Sequence, residues 1–160
     1  MNLNSLFPKQ SELDKHIVEK HNLQDQDLLN KKAVALICEL YELVNELQFF
    51  KFWKTDIKID RNKAVEEYID VIHFTLSIAN DLGYTSHKYI PTQHQDLNKL
   101  VLGITNAITV LSVSPSKDLI GSIFNNIVAL GYQIGLTEED VLEIYNKKNE
   151  VNFARQESGY

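Results

Sequence analysis

Cysteine, proline and glycine are all scarce in this chain of 160 residues, which has one, three and six of them. A single cysteine, Cys38, excludes an internal disulfide framework and any multi-cysteine zinc site, and it fits a reducing compartment. Few glycines and prolines argue against a sandwich or barrel, whose many tight turns need both. Cations are also in the minority, 16 Lys plus Arg against 22 Asp plus Glu, for a net charge of −6. Such a chain is a poor generic nucleic-acid binder, because phosphate contacts need clustered cations, so no nucleic-acid partner is expected. No run reaches the ~18 apolar residues of a membrane span. Met1-Asn2-Leu3-Asn4-Ser5 lacks the basic region and apolar stretch of a signal peptide. The expected location is the cytoplasm, with no membrane partner. The chain is 44% hydrophobic and 24% charged, which is ordinary for a globular protein, and its length suits one domain over 1–160.

The patterning predicts an all-α helical bundle. Residues 10–22 read as a short helix with Leu13, Ile17 and Val18 apolar among charges. A long helical run without Gly or Pro lies within 25–53, and a second spans 62–82 and stops at Gly83. Residues 83–95, with Pro91, read as a loop. A helix follows over 96–113. Ser114-Pro115 then reads as a cap followed by proline at the first helical position, with a helix to about 130. Thr137 to Asp140 resembles a capping box, with Asp in place of Glu, and opens a last helix to about 155. The helices at 96–113 and 115–130 are apolar nearly all round and must be covered on every side. A homodimer is the simplest cover, and a central helix within one bundle is the alternative.

The informative acids lie on otherwise apolar helices. At about 100° per residue, Glu39, Glu42 and Glu46 fall within about 60° of one another, with Phe50 and Trp53 continuing the same stripe. In the next run Glu66, Glu67, Asp70 and His73 form a polar stripe opposite Val65, Tyr68, Ile69 and Ile72. Glu39/Glu42 and Glu67/Asp70 are both i, i+3 pairs, each sharing a face. Two antiparallel neighbours would aim four carboxylates at one point. Two like charges about 5 Å apart repel by roughly 3 kcal/mol at an effective dielectric of about 20. A hard divalent cation removes that cost, and oxygen-only ligation suits magnesium. The plain alternative is a pair of solvated helix faces.

Two further patterns stand beside the acids. Phe49-Phe50-Lys51-Phe52-Trp53-Lys54 interleaves rings and cations, which suits base stacking and phosphate contact and equally a core aromatic cluster with solvated lysines. Lys148, Asn152 and Arg155 fall at i, i+4 and i+7 on one helical face, a cation–amide–cation row fit for a polyphosphate.

Glu39-x-x-Glu42 with Glu67-x-x-Asp70 is similar to the metal-binding motif of the all-α nucleoside triphosphate pyrophosphohydrolases, the MazG-like superfamily. Phe50-Lys51-Phe52-Trp53, the run from Glu66 to Phe74, and the ending from Lys147 through Gly159-Tyr160 resemble the dimeric dUTPases in particular, from about Gln10 onward. The resemblance implies magnesium-dependent hydrolysis of dUTP, and of dUDP, to dUMP by a homodimer. It implies that Glu39, Glu42, Glu67 and Asp70 hold magnesium and that Glu42 is also the general base. Lys148, Asn152 and Arg155 would bind the phosphates, with Lys51 or Lys54 adding another contact. Gln10 and Trp53 would contact the uracil, and His73 would lie close to the deoxynucleoside. Glu46 and Glu66 are surplus to the four-ligand motif, and Glu66 is placed to exchange roles with Glu67. The same chemistry on dCTP or another nucleotide is the near alternative. A helical binding or regulatory protein on the same fold is the distant one.

Overall fold

A computed structural model describes residues 1–158; Gly159 and Tyr160, the last two residues of the terminal motif, lie outside the described residues. Six helices account for the architecture: α1 (Leu6–Lys20), α2 (Leu29–Leu47), α3 (Arg61–Asp81), α4 (Leu97–Val113), α5 (Lys117–Gln133) and α6 (Glu138–Glu157). Packing follows a closed ring in which α2 meets α3, α3 meets α5, α5 meets α4 and α4 returns to α2. α1 and α6 pack on each other and on α3, so α3 touches four helices.

Several helix ends differ from the sequence expectation, each for a local reason. α1 starts at Leu6 rather than at residue 10, because Pro8 falls in the first turn, where a missing N–H costs no intrahelical bond. α2 ends at Leu47 rather than near Trp53. Gln48 turns left-handed at φ 57°, and its N–H caps Val44 O. Its side chain bonds Lys58 O at 3.2 Å and accepts from Lys54 Nζ at 2.7 Å, which ties down the loop that follows. Phe50 and Trp53 are therefore loop residues and do not continue the acidic stripe. α5 is capped by Ser116, whose hydroxyl accepts from Leu119 N, so Pro115 precedes the cap instead of opening the helix. The Thr137–Asp140 capping box is formed as expected. Gly83, at φ +68°, ends α3 in the left-handed conformation that favours glycine.

Cover for the apolar helices comes mostly from within the chain. On α5, Ile120, Ile123, Phe124, Ile127, Val128 and Leu130 are fully enclosed, and Phe7 of α1 stacks on Phe124 at 5.5 Å. α5 thus needs no second copy. α4 buries Leu100, Val101, Ile104, Ile108 and Leu111 but leaves Leu102 62% and Val113 81% exposed. Among the described residues, no single helix is long and apolar enough to cross a membrane.

Candidate active site

Two ion pairs fix α2 and α3 as antiparallel neighbours. Glu46 Oε1 meets Lys63 Nζ at 2.5 Å near one end, and Lys32 Nζ meets Asp81 Oδ2 at 2.5 Å near the other. Midway between them, Glu39 faces Glu67 and Asp70. One carboxylate oxygen from each of these three half-buried residues lies within 4.8 Å of the other two. An all-oxygen donor set of this spacing fits a hard divalent cation such as magnesium. The crowding shows in the proton affinities. Burial, then Asp70, Glu42 and Glu67, push the Glu39 carboxyl up to about 7. Burial likewise raises Glu67, helped by Glu42 and Asp70, and raises Asp70.

The remaining acids divide around this centre. Glu42 is exposed and outside the converging trio, yet close enough to raise both Glu39 and Glu67. It lines an open recess with Cys38, Tyr41, Asn45, Glu46, Lys63 and Glu67. Glu46 is engaged by Lys63, and Glu66 points to solvent, so Glu67 rather than Glu66 offers the converging oxygen. From α6, Lys148 places its ammonium on the Asp70 carboxylate and also donates to Glu66 O at 3.1 Å. Lys148 holds all three carboxyls down against their burial. Asn152 is half-buried further along α6, and exposed Arg155 is near enough to lower Asp70.

One turn from the acids, the same α2–α3 groove becomes apolar. A cavity of about 290 Å³ lies among Asp14, Ile17 and Val18 of α1, Lys32 and Ala35 of α2, and Phe74 and Ser77 of α3. Ala35 is one turn from Glu39, and Phe74 is one turn from Asp70. The space is ample for a pyrimidine ring, with Phe74 as an aromatic wall.

A buried hydrogen-bond chain supports this cavity. Tyr145 OH and His73 Nδ1 each meet Gln10 Oε1 at 2.7 Å, and Gln10 Nε2 donates to Asp14 Oδ1 at 2.8 Å. An amide oxygen only accepts, so His73 carries its proton on Nδ1. Burial, then Lys148, lower His73 to about 3, which keeps it neutral. Its ring stacks on Tyr145 at 4.2 Å. His73 Nε2 and Asp14 Oδ2 are buried without a hydrogen-bond partner. Burial also raises the Asp14 carboxyl, against the pull of Lys32, Gln10 and Ser77.

Gln10 therefore has both ends of its amide engaged, and the polar residues lining the cavity include Asp14, Lys32 and Ser77. Sequence reasoning passed over Asp14 and Tyr145; the available signal was the i, i+4 spacing of Gln10 and Asp14 on an otherwise apolar helix face. The aromatic–lysine segment is not drawn in. Trp53 is 63% exposed and packs edge-on against Phe52 at 5.0 Å and Phe50 at 6.1 Å. Lys51 lies over the Phe50 ring at 5.5 Å, and Lys54 bonds Gln48.

Against known families, a dUTPase model matches residues 2–160, nearly the whole chain. No curated protein matches it.

Proposed function

The chain belongs to the dUTPase family, whose members hydrolyse dUTP, and from that premise we propose a magnesium-dependent enzyme that converts dUTP, and also dUDP, to dUMP. The observation that carries this reading is the convergence of Glu39, Glu67 and Asp70 between two antiparallel helices. Magnesium, when bound, neutralises triphosphate charge and makes a bound water more acidic. Glu39, Glu67 and Asp70 would hold it, and Glu42 would join them from the rim of the recess. Glu42 is exposed and next to the trio, so it is placed to take the proton of the attacking water. Lys148, Asn152 and Arg155 present donors along α6 to the phosphates and oppose charge building on the leaving group. The base enters the cavity beside Phe74, where Gln10 acts by holding Asp14 rather than by direct contact. His73, neutral and one turn from the acids, lies at the deoxyribose between base and phosphates.

The same reading makes the protein a homodimer. Support comes from α4, where exposed Leu102 lines a groove with Tyr41, Val44, Phe49, Phe50 and Val101, and Val113 is exposed about three turns further along the helix. A second copy laid along α4 would cover that strip and bring its own loop of Lys51, Trp53 and Lys54 to bear on the assembly.

A nucleotide panel tests the function: dUTP, dUDP, dCTP, dTTP and UTP, each with magnesium and with chelator. The expected result is dUMP from the two deoxyuridine nucleotides only, and none without the metal. Preferred turnover of dCTP would replace the substrate assignment. Full turnover in chelator would remove the metal centre. Light scattering tests the dimer, and a monomeric mass at micromolar concentration would refute it.

A further inference from the structure

We propose that Lys148 is a resident counter-ion of the acidic centre, which a divalent cation must displace from Asp70 before the lysine can serve the phosphates. The proposal rests on the reading of Glu39, Glu67 and Asp70 as metal ligands. It concerns what occupies their field when the metal is absent. Three half-buried carboxylates with oxygens within 4.8 Å of one another repel, and a neighbouring cation relieves that repulsion. Lys148 is that cation. Its ammonium sits on the Asp70 carboxylate, and a second donor is fixed on Glu66 O at 3.1 Å. The contact is largely shielded, with about a quarter of each side chain exposed, 23% for Lys148 and 25% for Asp70.

A divalent ion bound at about 2.1 Å from an Asp70 oxygen would lie within a few ångström of this ammonium. Both cations compete for the same carboxylate and repel each other strongly at that range. Loading the metal therefore expels the lysine. Lys148 is one turn before Asn152 and two before Arg155 on α6, so the freed ammonium joins the row that meets the triphosphate. One charge leaves the acids as two arrive, and the phosphate contact becomes available only when the metal is in place. The device keeps the metal-poor state from presenting a complete phosphate site.

The test uses the nucleotide-free full chain and magnesium chloride alone. Calorimetric titration compares the parent protein with Lys148→Met, Lys148→Gln, Arg155→Met and Lys147→Met. Both Lys148 variants should bind magnesium about tenfold more tightly, since the competing charge is gone while the ligands remain. Arg155→Met, which removes a more distant charge, should gain far less, and Lys147→Met should match the parent. In parallel, acetylation of surface lysines mapped by mass spectrometry should show Lys148 protected without magnesium and modified with it, Lys147 being modified equally in both. Natively melting Lys148 variants that bind magnesium no better than the parent overturn the proposal and leave the metal centre standing. An equal gain from Arg155→Met, or a Lys148 still protected at saturating magnesium, overturns the exchange. Magnesium binding to none of the proteins overturns the metal centre itself, and the proposal with it.

Discussion

α3 packs against neighbours of opposite character. Against α5 it makes a dry seam in which every polar atom has a partner: Tyr68 is fully enclosed, and its hydroxyl donates to Ile127 O at 3.0 Å. Against α2, α1 and α6 the same helix carries Asp70 with a raised proton affinity and neutral His73 with an unpartnered Nε2, and its Ser77 faces the Asp14 carboxyl of α1. The first seam is what a fold needs. The second is worse for stability than apolar residues of the same size would be. Groups held in uncomfortable protonation states around a groove are the mark of a site that a ligand completes. The lesson is that one helix holds the bundle with one face and bears the chemistry on the other, so substitutions on the two seams should fail in different ways.

Glu42→Gln should break the chemical seam alone. Loss of a general base typically costs roughly 10²–10⁴-fold in rate, so kcat on dUTP should fall by about that factor. The melting temperature should stay level or rise, because Glu42 is exposed and repels Glu39 and Glu67. A variant that melts low but turns over normally would reverse the assignment of the two seams.

Gly131→Ala should do the opposite. A Cβ at position 131 would lie 2.4 Å from the Tyr68 hydroxyl oxygen and 2.7 Å from its Cζ. Tyr68 is enclosed and cannot swing away without losing its bond to Ile127 O. Overpacking of this kind costs about 1–3 kcal/mol, read as a lower midpoint in urea with dUTP turnover per folded molecule unchanged. An unaltered midpoint would show that the seam has slack which the geometry denies.

Asp14→Ala probes the junction between the seams. Removing a buried carboxyl relieves its own desolvation, which offsets the cost of leaving a buried donor unpaired, so stability should change little. Gln10 Nε2 then loses its acceptor and the cavity loses its one acidic wall. KM for dUTP should rise several-fold with kcat much less affected, because the group lies a turn or more from the acids. A pure kcat loss would place Asp14 in the reacting centre and contradict the cavity as the seat of the base.

The sequence disclosed the two seams unequally. The helix count, the stop at Gly83, the Thr137 capping box and the acid pairs were all readable, because each is a local pattern within one or two turns. The meeting of Glu39 with Glu67 and Asp70 followed from two apolar helices that had to pack antiparallel. What escaped was set by partners distant in sequence. Nothing around Gln48 marks a helix end, since neither Gly nor Pro is there, and the left-handed turn is held by Lys54 and Lys58 O. The support of Gln10 by His73 and Tyr145 joins residues 63 and 135 positions apart. Glu46 could not be separated from the ligand acids until Lys63 was seen against it. The cover of α5 was equally unreadable, because its walls come from Phe7 and from Tyr68 as much as from its neighbours in sequence.

The smallest effect is a slope rather than a loss, and its sign separates the seams without any substitution. Glu39 titrates near 4.5 when unfolded and at about 7 in the folded protein without metal. Below about pH 4.5 it is protonated in both states and contributes nothing. As pH rises toward 7 the unfolded chain releases the proton while the folded protein keeps it, so stability is lost across that window, and above it the loss is complete. Glu67, Asp70 and Asp14 are raised too and act in the same direction. His73, lowered to about 3, and His87, also lowered, act the opposite way below about pH 6.5, so in chelator the decline in melting temperature should appear between about pH 6.5 and pH 8, and Glu39→Gln should flatten it. Magnesium held there would take the ionised carboxylates, so its stabilising effect should grow over the same range and offset the fall. The dry seam between α3 and α5 has no group that titrates in this window. A melting temperature that rises in chelator above about pH 6.5, or a magnesium effect that is constant from pH 5 to 8, would show that the acids on α2 and α3 do not share one field.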